Sequence, residues 1–160
     1  MQGIGFIVTE ELGKLAKWLR VLGYDCVYHD GGSESDLVIQ ALRDKRVLLT
    51  RTERLKKYTG IKTVIIRHDH VEDQLEQVVF DLGLPLEEDG FFQRCVECNE
   101  RLSAVEKHDI KGKVPGYVFD TQDEFKVCPA CEKIFWRGTH WDNVGKRVDE
   151  LRGKLRKGKR

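Results

Sequence analysis

The chain has 160 residues, of which 34% are charged, and its 28 Lys or Arg side chains nearly balance 27 Asp or Glu side chains. Such a length suits one domain, or a domain of about 90 residues followed by a smaller one. No apolar run approaches the roughly 20 residues that a membrane-spanning helix needs, which argues against a membrane protein. The charge is unevenly distributed along the chain. Residues 1–90 hold 12 basic and 16 acidic side chains, a net charge of −4, whereas residues 91–160 hold 16 basic and 11 acidic side chains, a net charge of +5.

Residues 1–90 alternate short apolar runs with segments of helical periodicity. The predicted elements are a strand at 4–8, a helix at 12–22, a strand at 26–28, a helix at 33–42, strands at 47–49 and 63–66, and a helix at 73–82. We expect Lys14, Lys17 and Arg20 on the solvated side of the first helix. Strands of continuous apolar residues separated by helices are typical of a parallel sheet covered on both faces, so we predict an α/β fold.

Polar residues follow the predicted strands at the carboxyl ends, where sheets of this kind carry their sites. The charged ones are Glu10, Asp30, Asp36, Arg51 and Glu53. Arg51 is placed to contact a phosphate, because a guanidinium can bind phosphate through two parallel hydrogen bonds. Gly31 and Gly32 match neither the dinucleotide nor the nucleotide-triphosphate loop pattern, which argues against a nucleotide cofactor.

Two CxxC pairs mark the second half of the chain, with 29 residues between them. They are Cys95 with Cys98 and Cys128 with Cys131. Four thiolates in two tight pairs match a tetrahedral structural zinc site, which has no open position for catalysis. The alternatives are two disulfides or a redox pair, but the N-terminus does not resemble a secretory signal and Cys26 is left over. We expect Cys26 to be a small buried strand residue, and we expect the protein in the reducing cytoplasm.

Aromatic and basic side chains interleave near the second CxxC pair. The aromatics are Tyr117, Phe119, Phe125, Phe135, Trp136 and Trp141, and the cations are Lys126, Lys133 and Arg137. Such a mixture can stack bases and bind phosphates. A small metal-bound module also has few other apolar groups to bury, so we expect most of these aromatics to form its core.

The basic excess is steepest in residues 146–160, which hold eight Lys or Arg against two acids. Such a segment suits an anionic partner, and Lys154, Arg156 and Lys157 are the candidate nucleic-acid contacts. The alternative is a solvated helix end whose lysines only keep the protein in solution.

Four motifs in the same order resemble one known family. They are FIVTEELGKLAKWLRVLGYD at 6–25, VLLTRTERL at 47–55, the paired CxxC, and FWRGTHW at 135–141. Together they resemble the Mut-seven carboxy-terminal RNase domain family over about residues 4–143. The resemblance implies a PIN-like α/β domain at 1–90 and a zinc ribbon at 91–143, and the charge pattern adds a basic C-terminal helix or tail at 144–160.

The resemblance also implies a metal-dependent ribonuclease with an aspartate at each of three positions. Asp36 matches the second position, but Thr9 and Thr52 stand at the first and third. A threonine hydroxyl is neutral and a poorer ligand for Mg²⁺ or Mn²⁺ than a carboxylate. Because two unit charges 4 Å apart near a protein surface interact by roughly 4 kcal/mol, this loss should weaken metal binding severely. Glu10 and Glu53, each one residue further on, are the candidate replacements; alternatively they only favour the first turns of the following helices.

Three functions follow from these expectations. The first is a metal-dependent ribonuclease of this family that acts on or binds RNA, with Asp36, Glu10 and Glu53 as catalytic candidates. The second is a catalytically inactive RNA-binding module, and the third is a zinc-stabilised protein-interaction domain. The expected cofactors are structural zinc and, in the first case, Mg²⁺ or Mn²⁺ at the acidic site.

Overall fold

A computed structural model describes residues 3–158 of the chain. Contacts between residues divide the chain into two compact units, Met1–Asn99 and Glu100–Arg160. The module limits at residues 90 and 143 remain predictions. Within the described range, no helix is both long enough and apolar enough to cross a membrane.

The first unit is built on a four-stranded sheet. Its strands are β1 (Gly5–Val8), β2 (Asp25–Tyr28), β3 (Val47–Thr50) and β4 (Thr63–Ile65). All neighbouring strands run parallel in the order β2-β1-β3-β4, which confirms the predicted parallel sheet. The chain leaves β1 toward β2 and then crosses back over β1 to reach β3. These crossovers diverge between β1 and β3, and sheets of this kind bind ligands at that point, beyond the carboxyl ends of the strands.

Three helices accompany the sheet, as predicted. They are α1 (Gly13–Val21), α2 (Glu34–Arg43) and α3 (Val71–Leu82). Short 3₁₀ turns, Glu10–Leu12 and Glu53–Lys57, follow β1 and β3. Gly23 and Gly83 take positive φ angles of 96° and 59° just after α1 and α3, a conformation that glycine adopts without strain.

The sheet is covered on both faces. Ile7 and Leu48 pack with Leu37 and Ala41 of α2 in one buried cluster. Because successive strand side chains point to opposite faces, Phe6 faces the other layer, where its ring meets Tyr24 edge-on at 5.8 Å. In that layer α1 and α3 contact each other.

The second unit holds a three-stranded antiparallel sheet and two helices. The strands are β5 (Ser103–Val105), β6 (Phe125–Val127) and β7 (Ile134–Trp136), paired in that order. The helices are α4 (Gly116–Thr121) and α5 (Thr139–Gly158). Ile110, Val118 and Phe125 form its buried cluster, with Phe119 packed against them.

The predicted C-terminal helix is present as the last 20 residues of the described chain. Val144, Val148 and Leu151 are buried along it at helical spacing, and Lys154, Arg156 and Lys157 are exposed. Lys159 and Arg160, which end the basic run, lie outside the described residues.

Candidate functional site

Four cysteine sulfur atoms come together in the structure. The Sγ atoms of Cys95, Cys98, Cys128 and Cys131 all lie within 4.8 Å of one another. A tetrahedral ion bound at about 2.3 Å from each thiolate requires sulfur atoms about 3.8 Å apart, so the arrangement fits one metal ion. None of the five cysteines forms a disulfide. The four thiolates can therefore hold a structural metal, as predicted.

The two CxxC turns share one backbone geometry. Asn99 and Glu132, the residues that follow each pair, have φ angles of 68° and 64°. The Asn99 N–H donates to the Cys95 carbonyl at 2.9 Å, and the Glu132 N–H donates to the Cys128 carbonyl at 2.8 Å. The Cys131 N–H also points at the Cys128 sulfur, 3.4 Å away. These bonds curl each pair so that two sulfurs face the same side.

Arg20 holds the first CxxC turn against the α/β unit. Its Nη1 donates to the carbonyls of Val96 at 2.8 Å and Glu97 at 3.3 Å, and its Nε donates to the Cys26 carbonyl at 2.9 Å. The side chain is only 6% exposed, so the expectation that Arg20 lies on the solvated side of its helix was wrong. The buried guanidinium is stabilised here because three backbone carbonyls accept hydrogen bonds from its Nε and Nη1. Lys14 and Lys17 are exposed, as expected.

The Asn99 side chain adds a second tie to the edge of the parallel sheet. Its Oδ1 accepts the Cys26 N–H at 3.0 Å, and its Nδ2 donates to Asp25 at 2.7 Å. Burial alone would raise the pKa of Asp25, but hydrogen bonds from Arg46 and Asn99 outweigh it and hold that pKa below its usual value. Asn99 therefore joins the first metal-ligand turn to β2, the outermost strand.

Cys26 takes no part in the metal cluster. It is fully buried on β2, as predicted, and burial raises the pKa of its thiol to about 12. A thiol held protonated at neutral pH is a poor nucleophile and a poor metal ligand.

A chain of hydrogen bonds lies across the carboxyl ends of β1 and β3. The Thr9 hydroxyl donates to the Glu11 carboxylate at 2.6 Å, and the Oγ1 atoms of Thr9 and Thr50 lie 3.2 Å apart. Because Thr9 has one hydroxyl hydrogen, committed to Glu11, Thr50 is the donor in the second bond. The Thr52 N–H donates to Thr50 at 3.1 Å. The chain ends on Glu11, which also accepts the Arg51 N–H at 3.3 Å.

Arg51 stands at this edge with an acid from the next strand end. Its Nη2 donates to Asp69 at 2.6 Å, a residue that follows β4. This hydrogen bond is the main reason that the pKa of Asp69 is lowered. The Arg51 and Asp69 side chains are 38% and 83% exposed, so the ion pair lies open to solvent.

The predicted catalytic acids are placed separately. Asp36 accepts the Ser33 N–H at 3.3 Å, while its own N–H donates to the Ser33 hydroxyl at 3.0 Å, a reciprocal cap at the start of α2. These bonds to Ser33 lower the pKa of Asp36. Glu53 pairs with Lys56 at 3.6 Å. Glu10 is exposed in the turn after β1.

These acids do not fit the three-aspartate ion site that the resemblance implied. Within residues 3–158, the cysteine cluster is the one group of three or more His, Cys, Asp or Glu ligands whose atoms lie within 4.8 Å of one another. Thr9 and Thr52 offer neutral oxygen atoms in place of charge, and Mg²⁺ depends on carboxylates. The carboxyl edge therefore combines neutral hydroxyls and the Arg51 guanidinium with separate acids, among them Glu11 and Asp69.

Glu34 fastens the turn that carries Thr52 and Glu53. Its carboxylate accepts the Tyr58 hydroxyl at 2.8 Å and both Nε and Nη2 of Arg54, at 3.0 and 2.8 Å. These hydrogen bonds, from Tyr58 first and then from Arg54, lower the pKa of Glu34 to about 2. The start of α2 and the segment after β3 are thus joined at one charged centre.

A family comparison agrees with the fold and the cysteine spacing. The model of the Mut7-C RNAse domain matches residues 4–148, which is most of the chain. The chain belongs to the Mut7-C RNAse domain family. Neither the curated proteins nor the solved structures compared with it gave a match. Membership in the Mut7-C RNAse domain family indicates a nuclease-like or RNA-related function.

The sequence interpretation of this Mut7-C chain did not single out two residues of the edge, and two of the six aromatics are exposed. Glu11 and Thr50 form the hydrogen-bond chain, although Glu10 and Glu53 had been the acids favoured at the edge. Phe125 is core, as expected, but Tyr117 and Trp136 are 73% and 38% exposed. Glu11 lies in the 3₁₀ turn that follows β1, and no local sequence pattern indicated that this turn would bring it to Thr9.

Proposed function

We propose that this Mut7-C RNAse domain protein acts on RNA by binding it, at the carboxyl edge of its parallel sheet and along its C-terminal helix. The observation that carries the proposal is the pair of threonines, Thr9 and Thr52, at positions where a metal-dependent ribonuclease of this kind needs aspartates. The chain keeps the fold and belongs to an RNA-related family, but neither position carries the negative charge that would hold a catalytic ion.

Neutral hydroxyls suit phosphate better than bare carboxylates do. An aspartate without its metal ion repels a phosphate, whereas a hydroxyl or a backbone N–H donates to it. The Thr52 hydroxyl is such a group at the point where the crossovers of the sheet diverge, whereas the Thr9 hydrogen is already donated to Glu11. Hydroxyl and amide groups can also pair with the ribose 2′-hydroxyl, which distinguishes RNA from DNA.

Arg51 is the proposed phosphate ligand at this edge. Its ion pair with Asp69 is exposed, and exposed pairs are worth about 0 to 1 kcal/mol. A phosphate that accepts two parallel N–H bonds can therefore replace Asp69 at little cost. On α5, Lys154, Arg156 and Lys157 are exposed and supply further phosphate contacts.

Salt dependence of RNA affinity tests this proposal. Each phosphate contact makes log affinity for a single strand fall by about 0.7 per log unit of salt. We expect Arg51→Gln to reduce that slope by about 0.7, and the combined Lys154→Gln, Arg156→Gln and Lys157→Gln variant to reduce it further. Substitution is preferable to removing the whole basic segment 146–160, because that removal would delete the buried Val148 and Leu151.

The matched control is Lys45→Gln with Lys62→Gln. Both lysines are exposed and precede β3 and β4, at the amino end of the sheet. The control should keep the wild-type slope. A salt-independent or absent affinity for RNA in the wild type would contradict the proposal and favour a protein-interaction domain.

Metal-dependent RNA cleavage is the second candidate, and the position of Glu11 favours it. Glu11 lies against Thr9 at the edge, so one carboxylate is present beside a lost aspartate position. Asp36 is the other acid that the family pattern assigns. Cleavage that requires Mg²⁺ or Mn²⁺ and is abolished by Glu11→Gln would establish this function in place of binding alone.

We also propose that the four-cysteine cluster holds structural zinc. Zinc accepts the tetrahedral geometry that four thiolates provide, and a closed set of four cysteines is a common structural zinc site. The purified protein should contain one zinc ion per chain by elemental analysis. The absence of a disulfide among the five cysteines also fits a reducing compartment, and we place the protein in the cytoplasm.

A further inference from the structure

We propose that a groove on the antiparallel sheet of the second unit binds an unstacked base of single-stranded RNA. The groove encloses about 690 Å³ and lies wholly within residues 105–136. It shares no residue with the carboxyl edge or with the exposed cations of α5. The inference rests on the proposal that RNA is the ligand. It adds a second kind of contact, in which a base stacks on an aromatic ring, to the phosphate contacts proposed for Arg51 and α5.

The groove exists because the antiparallel sheet is only partly covered. Val105, Val127 and Ile134 line it from the three strands. Ile110 and Val114, from the segment between β5 and α4, complete its apolar lining. The groove opens to solvent and combines these apolar side chains with charged ones, and its volume lies in the range of ligand sites.

Trp136 supplies the stacking surface. It lines the groove and is 38% exposed, although a large aromatic at the end of a short strand would be expected to bury itself. Its ring lies 6.5 Å from the buried Phe125 ring, which supports it from below. An exposed indole that is fixed by the core can stack an unpaired base at little entropic cost, because every base has an aromatic face.

Charged side chains rim the same groove. Lys113 and Lys133 are exposed cations that can contact the flanking phosphates, and Asp109 and Glu132 are carboxylates that can accept hydrogen bonds from base amino groups. Residues 100–160 hold 15 Lys or Arg against 10 Asp or Glu, a net of +5. That excess lies on residues 139–160, because residues 100–138 hold seven Lys or Arg and seven Asp or Glu, so it attracts an anionic polymer to this unit through α5 while the groove rim itself is balanced.

RNA affinity of groove variants tests the assignment. We expect Trp136→Leu, which keeps an apolar side chain but removes the ring, to weaken binding of a single-stranded oligonucleotide by about fivefold or more. Its salt slope should stay at the wild-type value, because a stacking contact releases no counterions. Lys113→Gln should instead reduce the slope by about 0.7. Duplex RNA, whose bases are already stacked, should bind both variants as it binds the wild type.

Two neighbouring substitutions serve as matched controls. Tyr117 is 73% exposed in the same unit and lies outside the groove lining, and Lys111 is an exposed lysine two residues from Lys113. Tyr117→Leu and Lys111→Gln should leave single-strand affinity unchanged. Circular dichroism and zinc content, measured on every variant, identify any loss of fold, and Lys113→Gln keeps the test valid should Trp136→Leu unfold.

Photo-crosslinking gives the direct readout. RNA that contains 4-thiouridine should crosslink to the peptide that includes Trp136. Crosslinks confined to other segments, or wild-type affinity in both groove variants, would overturn the groove assignment and leave RNA binding at the carboxyl edge intact. Absence of RNA binding by the wild type would contradict both proposals.

Discussion

Replacement of Arg20 by methionine should destabilise the protein and lower the affinity of the four-cysteine cluster for its metal ion. Arg20 is 6% exposed and makes two short hydrogen bonds, at 2.9 and 2.8 Å, to the carbonyls of Cys26 and Val96. Bonds from a charged donor are worth about 1.5 to 3 kcal/mol each, which gives about 3 to 6 kcal/mol for the pair. Removing the buried charge recovers part of its desolvation cost. We therefore expect the free energy of unfolding to fall by about 3 kcal/mol.

Metal affinity is the second readout of the same variant. Arg20 donates to carbonyls between Cys95 and Cys98, and losing a hydrogen bond that supports a ligand segment typically costs about 10- to 100-fold in metal affinity. Urea denaturation of the zinc-loaded protein measures stability, and competition with a chromophoric chelator measures affinity.

Lys17→Met is the matched control for this experiment. Lys17 lies on the same helix and pairs with Glu97 at 3.5 Å, but its side chain is 55% exposed. An exposed pair of this kind contributes about 0 to 1 kcal/mol. If Arg20→Met lost no more stability and no more zinc affinity than Lys17→Met, the account of Arg20 as an anchor would be refuted.

Three further predictions follow from single features. Cys95→Ser should reduce bound zinc from one per chain to none in elemental analysis, whereas Cys26→Ala should retain it, because Cys26 lies outside the cluster. The bonds that lower the pKa of Glu34 to about 2 contribute stability that is complete above its usual value of 4.5 and is lost as pH falls toward 2. Glu34→Gln should therefore lose less stability than wild type over that range in urea titrations; an equal loss would disprove the linkage. Ser33→Ala removes the cap of α2 and should cost about 1 kcal/mol in thermal unfolding, against no change for Ser35→Ala.

Local periodicity was sufficient to predict the α/β unit. Continuous apolar runs such as Phe6 to Val8 predicted buried parallel strands, and the structure confirms both the strands and the helices between them. The paired CxxC spacing likewise predicted the four-sulfur cluster, because a metal ion imposes one local geometry wherever the two pairs occur.

Local periodicity could not predict contacts between residues that lie far apart in the sequence. Helical periodicity put Arg20 on the solvated side of α1, but its partners Val96 and Glu97 lie 76 and 77 residues away. No local pattern reports that a distant CxxC turn will cover this position. The 3₁₀ turn after β1 was not predicted either, and it turns Glu11 rather than Glu10 toward Thr9.

The central claim is that RNA binds this member of the Mut7-C RNAse domain family without metal-dependent cleavage. The most direct test incubates end-labelled single-stranded and structured RNAs with the zinc-loaded protein in Mg²⁺, Mn²⁺ or EDTA, and follows both cleavage and gel mobility, with Asp36→Asn and Glu11→Gln beside the wild type. We expect a gel shift that weakens with salt, and intact RNA under all three conditions. Cleavage that requires the added metal and disappears in either variant would contradict this account.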